Sequence, residues 1–239
     1  MSKMDKLRYP TGKFEYGKIY SIEDTRKNIK TIERFPKELK KILKKLSHQS
    51  LDVSYRPGGW TARQVVNHIA DSHINAYVRM KLAVTEPTPI IKPYEEALWA
   101  ETEDGKQGSV KVSLRLLSAL HRRWGQFLES LSEEDLEKGY FHPERQNVVL
   151  LPEAIALYAW HCKHHLAHVA LVAEGKASSD AEVPAETKRR GRPKGISTAK
   201  SADAPKLSRA EILAKARAAR AAKLEDKGAK PVKGKKAAA

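Results

Sequence analysis

Four of the chain's nine histidines, His161, His164, His165 and His168, fall within the segment LYAWHCKHHLAHVALVAEG. The segment otherwise reads as a buried helix, an expensive place for imidazoles. On a helix turning about 100° per residue the four rings share one stripe, and His161/His165 and His164/His168 are both i, i+4 pairs. Imidazoles one turn apart grip a transition metal from two sides, because the turn brings their ring nitrogens toward one point. The plainer alternative is a wet or interface-facing helix with scattered histidines. A third ligand on a facing helix would complete a metal site, and His68 and His73 are the candidates. They are five residues apart, about 140° around a helix axis, so they cannot face the same point. Spacing does not choose between them.

The elements that must position these residues are read from periodicity and punctuation. Residues 1–20, rich in Gly, Pro and Tyr, read as an extended arm lying on the domain. Ser21 and Asp24 make a box-like helix start, followed at helical spacing by Ile29, Ile32, Phe35, Leu39, Ile42, Leu43 and Leu46. Pro36 is expected to break or kink that element. After the turn YRPGGW, Thr61 and Gln64 start a second helix to about Leu82, with Val65, Ile69, Ile74 and Tyr77 inward and with His68 and His73 aboard. Residues 85–110 read as a long connection. A third helix is expected near Ser113–Leu131, with Leu114, Leu117, Leu120, Trp124 and Leu128 as its buried stripe. Pro152 and Gly175 bracket the fourth. Four long amphipathic helices predict an all-α four-helix bundle, a fold that builds metal sites from side chains on facing helices.

Composition divides the chain. Every Trp, Tyr and Phe lies before residue 176, so residues 177–239 have no aromatic side chain with which to build a core and are expected to be a disordered tail. That tail carries 17 Lys and Arg against seven Asp and Glu, +10 of the chain's +16. The two expected units are therefore residues 1–176 and 177–239. The single cysteine, Cys162, excludes an internal disulfide framework and reads as a small core residue. No apolar run approaches the roughly 18 residues of a membrane span, and the N-terminus shows no apolar signal core. A cytoplasmic location without membrane contact is expected.

YRPGGWTARQVVNHIADSHINAYVRMKL, TEPTPIIKPYEEALW and LYAWHCKHHLAH together resemble the YfiT group of the DinB-like superfamily, over residues 9 to about 174. The resemblance implies a four-helix bundle, a homodimer, and one divalent metal per subunit, zinc first and nickel as the alternative, held by three histidines. Carried over by position, those ligands are His68, His161 and His165. His73, His164 and His168 are left as neighbours, either partners of the ligands or ordinary polar positions. Three neutral imidazoles leave the metal its full charge and an open position, the pattern of a catalytic site. The resemblance implies an enzyme acting on a small molecule, either a metal-dependent hydrolase or a thiol S-transferase using a low-molecular-weight thiol such as bacillithiol as cosubstrate. Other residues near the expected pocket are Asp71, one turn from His68, Arg79 and Lys81, which could bind an acidic group, and Tyr94, Glu95 and Trp99 at its mouth.

KRRGRPKG, residues 188–195, resembles an AT-hook. Gly191 has no side chain to hold the backbone off a narrow groove, and Pro193 keeps the strand extended. Arg190 and Arg192 would then lie along the floor of an A·T-rich minor groove, with Lys188, Arg189 and Lys194 on phosphates. The rival function is thus a DNA-associated protein whose bundle dimerises and presents two basic tails.

Overall fold

The computed structural model describes residues 2–177 and the isolated Ala214. The AT-hook-like segment and the rest of the basic tail lie outside the described residues. The described part is a four-helix bundle of α2 (Ile22–Leu43), α3 (Ala62–Thr85), α6 (Val110–Glu129) and α8 (Leu151–Ala173). Four short helices, α1 (Lys3–Arg8), α4 (Glu96–Ala100), α5 (Glu103–Gln107) and α7 (Glu133–Leu136), lie around it, with one 3-10 turn at Gln49–Asp52. Helix α2 packs on α6 and α8, and α3 packs on the same two. The first two long helices, consecutive in sequence, therefore stand on opposite corners of the bundle.

Local chemistry starts these helices where the sequence says. Ser21 and Asp24 form a reciprocal capping box on α2, and Thr61 and Gln64 form one on α3. On α2, Thr25, Ile29, Ile32, Phe35 and Leu39 are buried at three- and four-residue spacing. On α6 the buried stripe is Leu117, His121, Trp124 and Leu128, while Leu114 and Leu120 are only half-buried. Pro152 lies in the first turn of α8, and Gly175, at φ +64°, takes the left-handed conformation just past its end. Helices α3 and α8 are buried on more than one face, because the arm and the long connection cover sides that a plain bundle leaves wet.

Several expectations are corrected. Helix α2 runs unbroken through Pro36, which is itself buried. The helix is not broken there, and the freed carbonyl of Ile32 finds another partner, described below. The arm lies on α8, as its Gly12 carbonyl accepts from Trp160 Nε1 at 3.0 Å and its Gly17 amide donates to Glu153 at 3.0 Å, but it opens with helix α1, capped by a Ser2–Asp5 box. The 85–110 connection contains α4 and α5. Ile74 is exposed, beyond the inward stripe of α3.

A hairpin, β1 (Gly139–His142) paired antiparallel with β2 (Asn147–Leu150), precedes α8 and is new relative to the sequence reading. A Cβ on Gly139 would stand 2.4 Å from the Val149 carbonyl oxygen, so only glycine permits the strands this close. The long connection is tied to it through Ile91 and Phe141.

Asn67 pins α5 and the start of α6 against α3. Its Nδ2 faces the carbonyls of Asp104, Gly105 and Gly108 at 3.0, 3.0 and 3.3 Å, and its Oδ1 accepts from Ser113 at 2.7 Å. Asn67→Ala strands these groups. It is expected to cost about 1–3 kcal/mol in urea denaturation.

Candidate metal centre

Helices α3 and α8 lie side by side, and their facing stripes carry the histidines. The structure brings together His68 from α3 with His161 and His165 from α8, each offering a ring nitrogen within 4.8 Å of the others. The ring centroids are 4.3 Å apart for His161/His165, 5.0 Å for His68/His165 and 5.5 Å for His68/His161. His68 and His165 are buried, and His161 keeps part of its surface open. His68 Nδ1 is buried without a hydrogen-bond partner, a cost that a bound cation would remove if that nitrogen faces it. Burial, together with the neighbouring imidazoles, drives the His68 pKa down to about 4 and holds His161 and His165 well below the usual range. All three rings are thus neutral at physiological pH, the form that ligates a metal. On donor type, spacing and protonation the residues fit a divalent transition metal.

The neighbours are placed as well. His73 is fully buried; its Nε2 lies 3.0 Å from His161 Nδ1, and its Nδ1 lies 2.8 Å from Nε2 of His121 on α6. His168 Nδ1 lies 3.3 Å from His165 Nδ1, and His168 Nε2 donates to the Arg8 carbonyl at 3.3 Å. His168 also stacks on Tyr55, with centroids 3.9 Å apart. His164 stacks on Trp160 and groups with His165 and His168 in a second triplet of possible ligands within 4.8 Å. His121 was missed in sequence. The signal was its place midway between Leu117 and Trp124, on the apolar stripe of α6.

The three histidines open on a cavity of about 540 Å³. Its wall carries Arg8 from the arm, Arg56 from the turn before α3, Arg79 from α3 and Arg145 from the hairpin loop, with Glu96 as the one acidic side chain among the described residues. None of these guanidiniums forms an ion pair among the described residues. The Nε atoms of Arg56 and Arg79 are buried with no hydrogen-bond partner. Arg145 donates to Tyr16 at 2.7 Å and Arg79 to the Lys92 carbonyl at 2.9 Å. The cavity is strongly electropositive before any cation is added.

Other candidates separate. Lys81 sits over the Phe127 and Tyr77 rings and does not line the cavity. Tyr94 and Trp99 pack on each other, 4.6 Å between centroids, and neither lines the cavity, whose wall carries Glu96 instead of Glu95. Asp71 is half-buried, its pKa raised to about 6 by burial and by Asp104, and the hydrogen bonds of the site do not include its carboxyl. Cys162 is buried in the core, and burial pushes its thiol well up, so it is inert. The predicted DNA contacts Arg190, Gly191, Arg192 and Pro193 lie outside the described residues.

Comparison with known proteins gives the same architecture. A Bacillus cereus protein named "Putative metal-dependent hydrolase" is 51% identical over 166 residues, covering 70% of this chain and 95% of its own. "Putative metal-dependent hydrolase YfiT" from Bacillus subtilis is 42% identical over 163 residues, covering 68% and 92%. The solved structure of YfiT from Bacillus subtilis, described as a probable metal-dependent hydrolase with an unusual four-helix bundle topology, superposes with a TM-score of 0.69 at 40% identity, covering 72% of this chain and 98% of that one. In the present bundle the consecutive long helices α2 and α3 stand diagonally. Residues 31–169, which include all three clustered histidines, match the model of the DinB superfamily, and the chain belongs to that superfamily.

Proposed function

We propose that the protein is a metal-dependent enzyme, with zinc or nickel held by His68, His161 and His165, acting on an anionic small molecule by hydrolysis or by transfer of a low-molecular-weight thiol. The observation that carries this reading is the convergence of three neutral imidazoles at the base of a cavity walled by four arginines. A divalent cation held there supplies a Lewis acid that makes water or a thiol nucleophilic at neutral pH. The relatives' names support metal-dependent hydrolysis; the alternative of thiol transfer rests on the sequence resemblance.

The chain's own residues supply the rest. Unpaired guanidiniums from four separate segments bind carboxylate or phosphate groups, and the buried, unpartnered Nε atoms of Arg56 and Arg79 gain hydrogen bonds when such a group enters. Glu96, the acidic side chain on the cavity wall, is the candidate proton carrier. Burial raises its carboxyl pKa, against the opposing pull of Arg79 and Arg145, which brings it closer to neutral pH and suits it to accepting a proton from the nucleophile and returning it to the leaving group. The Ser72 hydroxyl, 3.5 Å from His161 Nε2, is placed to hold the nucleophile's hydrogen bond. Tyr140 and Tyr158, both buried, narrow the cavity beside the histidines and limit the water that enters.

Stripping metal with a chelator is expected to abolish turnover of anionic esters or of thiol-acceptor pairs, with zinc or nickel restoring it. Arg79→Ala and Arg145→Ala should each raise KM about tenfold or more, the loss of one charge-assisted contact. Turnover that persists without metal would refute the reading, and unchanged KM would refute the anionic substrate.

A second reading concerns the basic tail, favoured by its KRRGRPKG segment. We infer that the tail holds the protein on A·T-rich DNA through Arg190 and Arg192, with Gly191 and Pro193 shaping the strand. In gel-shift titrations of the full chain, Arg190→Ala with Arg192→Ala should remove A·T preference and leave salt-sensitive, sequence-independent binding by the remaining lysines.

A further inference from the structure

A line of polar atoms crosses the centre of the bundle and touches all four long helices. It begins at the Ile32 carbonyl on α2. In a regular helix that carbonyl accepts from the amide of residue 36, but Pro36 has no N–H. His121 Nδ1, on α6, lies 2.7 Å from it. His121 Nε2 meets His73 Nδ1, on α3, at 2.8 Å, and His73 Nε2 meets His161 Nδ1, on α8, at 3.0 Å. His73 and His121 are 0% and 1% exposed, and the rings of Phe35 and Trp124 flank both of them.

The direction of this line is forced. A carbonyl oxygen only accepts, so His121 must carry its proton on Nδ1. A neutral imidazole then has a bare Nε2, which can only accept from His73 Nδ1–H. The same logic makes His73 Nε2 an acceptor, so His161 donates through Nδ1. His161 Nε2 is left with its lone pair outside the line, facing the cavity with the Ser72 hydroxyl 3.5 Å away. We propose that His121 and His73 are positioning residues that lock His161 in the one tautomer able to ligate a metal through Nε2, with Pro36 fixing the direction of the line by freeing the Ile32 carbonyl.

A parallel arrangement serves the second α8 ligand. The Arg8 carbonyl accepts from His168 Nε2, so His168 Nδ1 accepts from His165 Nδ1, and His165 Nε2 is likewise bare. Each line ends on a backbone carbonyl, an acceptor that cannot reverse. The inference rests on the reading of His161 as a metal ligand, but the tautomers themselves are a property of the metal-free protein.

The test is imidazole nitrogen NMR on full-length, 15N-histidine-labelled, metal-free protein, joined to zinc titration against a competing chelator. The expected wild-type spectrum has His121, His73 and His161 all protonated on Nδ1. His121→Phe removes the anchor, so His161 should shift toward the Nε2–H tautomer and zinc affinity should fall about 10- to 100-fold. His121→Gln, which returns an N–H for Ile32 and an oxygen for His73, should recover most of it. A different wild-type tautomer at His73 or His161 overturns the proposal without any variant having to fold. So does His121→Phe with unchanged tautomer and unchanged zinc affinity. Zinc affinity equal in wild type and His161→Ala would instead overturn the ligand reading, while the spectra still judge the line.

Discussion

Seven imidazoles occupy the middle and the floor of a helical bundle, and they are tolerable there only because most of their nitrogens have a hydrogen-bond partner or face the candidate metal centre. An unpaired polar group buried in an apolar core costs a large fraction of a domain's net stability. That constraint explains the otherwise odd features of the fold. Helix α2 tolerates an internal proline because His121 takes over the stranded Ile32 carbonyl. The arm lies on α8 where its Arg8 carbonyl can receive His168. Consecutive helices stand on opposite corners, which puts α3 and α8 side by side with their histidine stripes facing.

The same burial makes the rings chemically useful. Desolvation keeps them neutral, bringing His121 to about 4 and, reinforced by the neighbouring His164, His68 to about 4 and His168 to about 3. The cavity above them is the reverse case. Its arginines come from the arm, a turn, a helix and a hairpin loop, so the positive wall exists only once four distant segments are folded together. A neutral ligand set beneath a positive wall keeps a cation's charge undiminished and attracts the anion it would act upon.

Much of this was legible in the sequence, and the reasons are local. The i, i+4 histidines on an apolar segment, the boxes at Ser21 and Thr61, and the brackets Pro152 and Gly175 are short-range signals, and each marks a helix boundary or face. The choice of His68 over His73 came from family resemblance, since spacing left both open. What stayed hidden was set by tertiary contact. Pro36 reads as a breaker because its compensation sits on α6, 85 positions away at His121. His121 reads as an interruption in a leucine stripe, because its two partners lie on other helices. The hairpin was overlooked although Tyr140 and Phe141 face Val149 and Val148 across a four-residue loop at Pro143–Gln146, a pattern too short to stand out beside long helices.

The central claim is that His68, His161 and His165 hold one catalytic metal. Its most direct test is elemental mass spectrometry on the tag-free full chain after exhaustive dialysis, wild type beside His161→Ala. About one zinc or nickel per chain in the wild type, lost in the variant, is the predicted result. Metal absent from both, or retained equally by both, would contradict it.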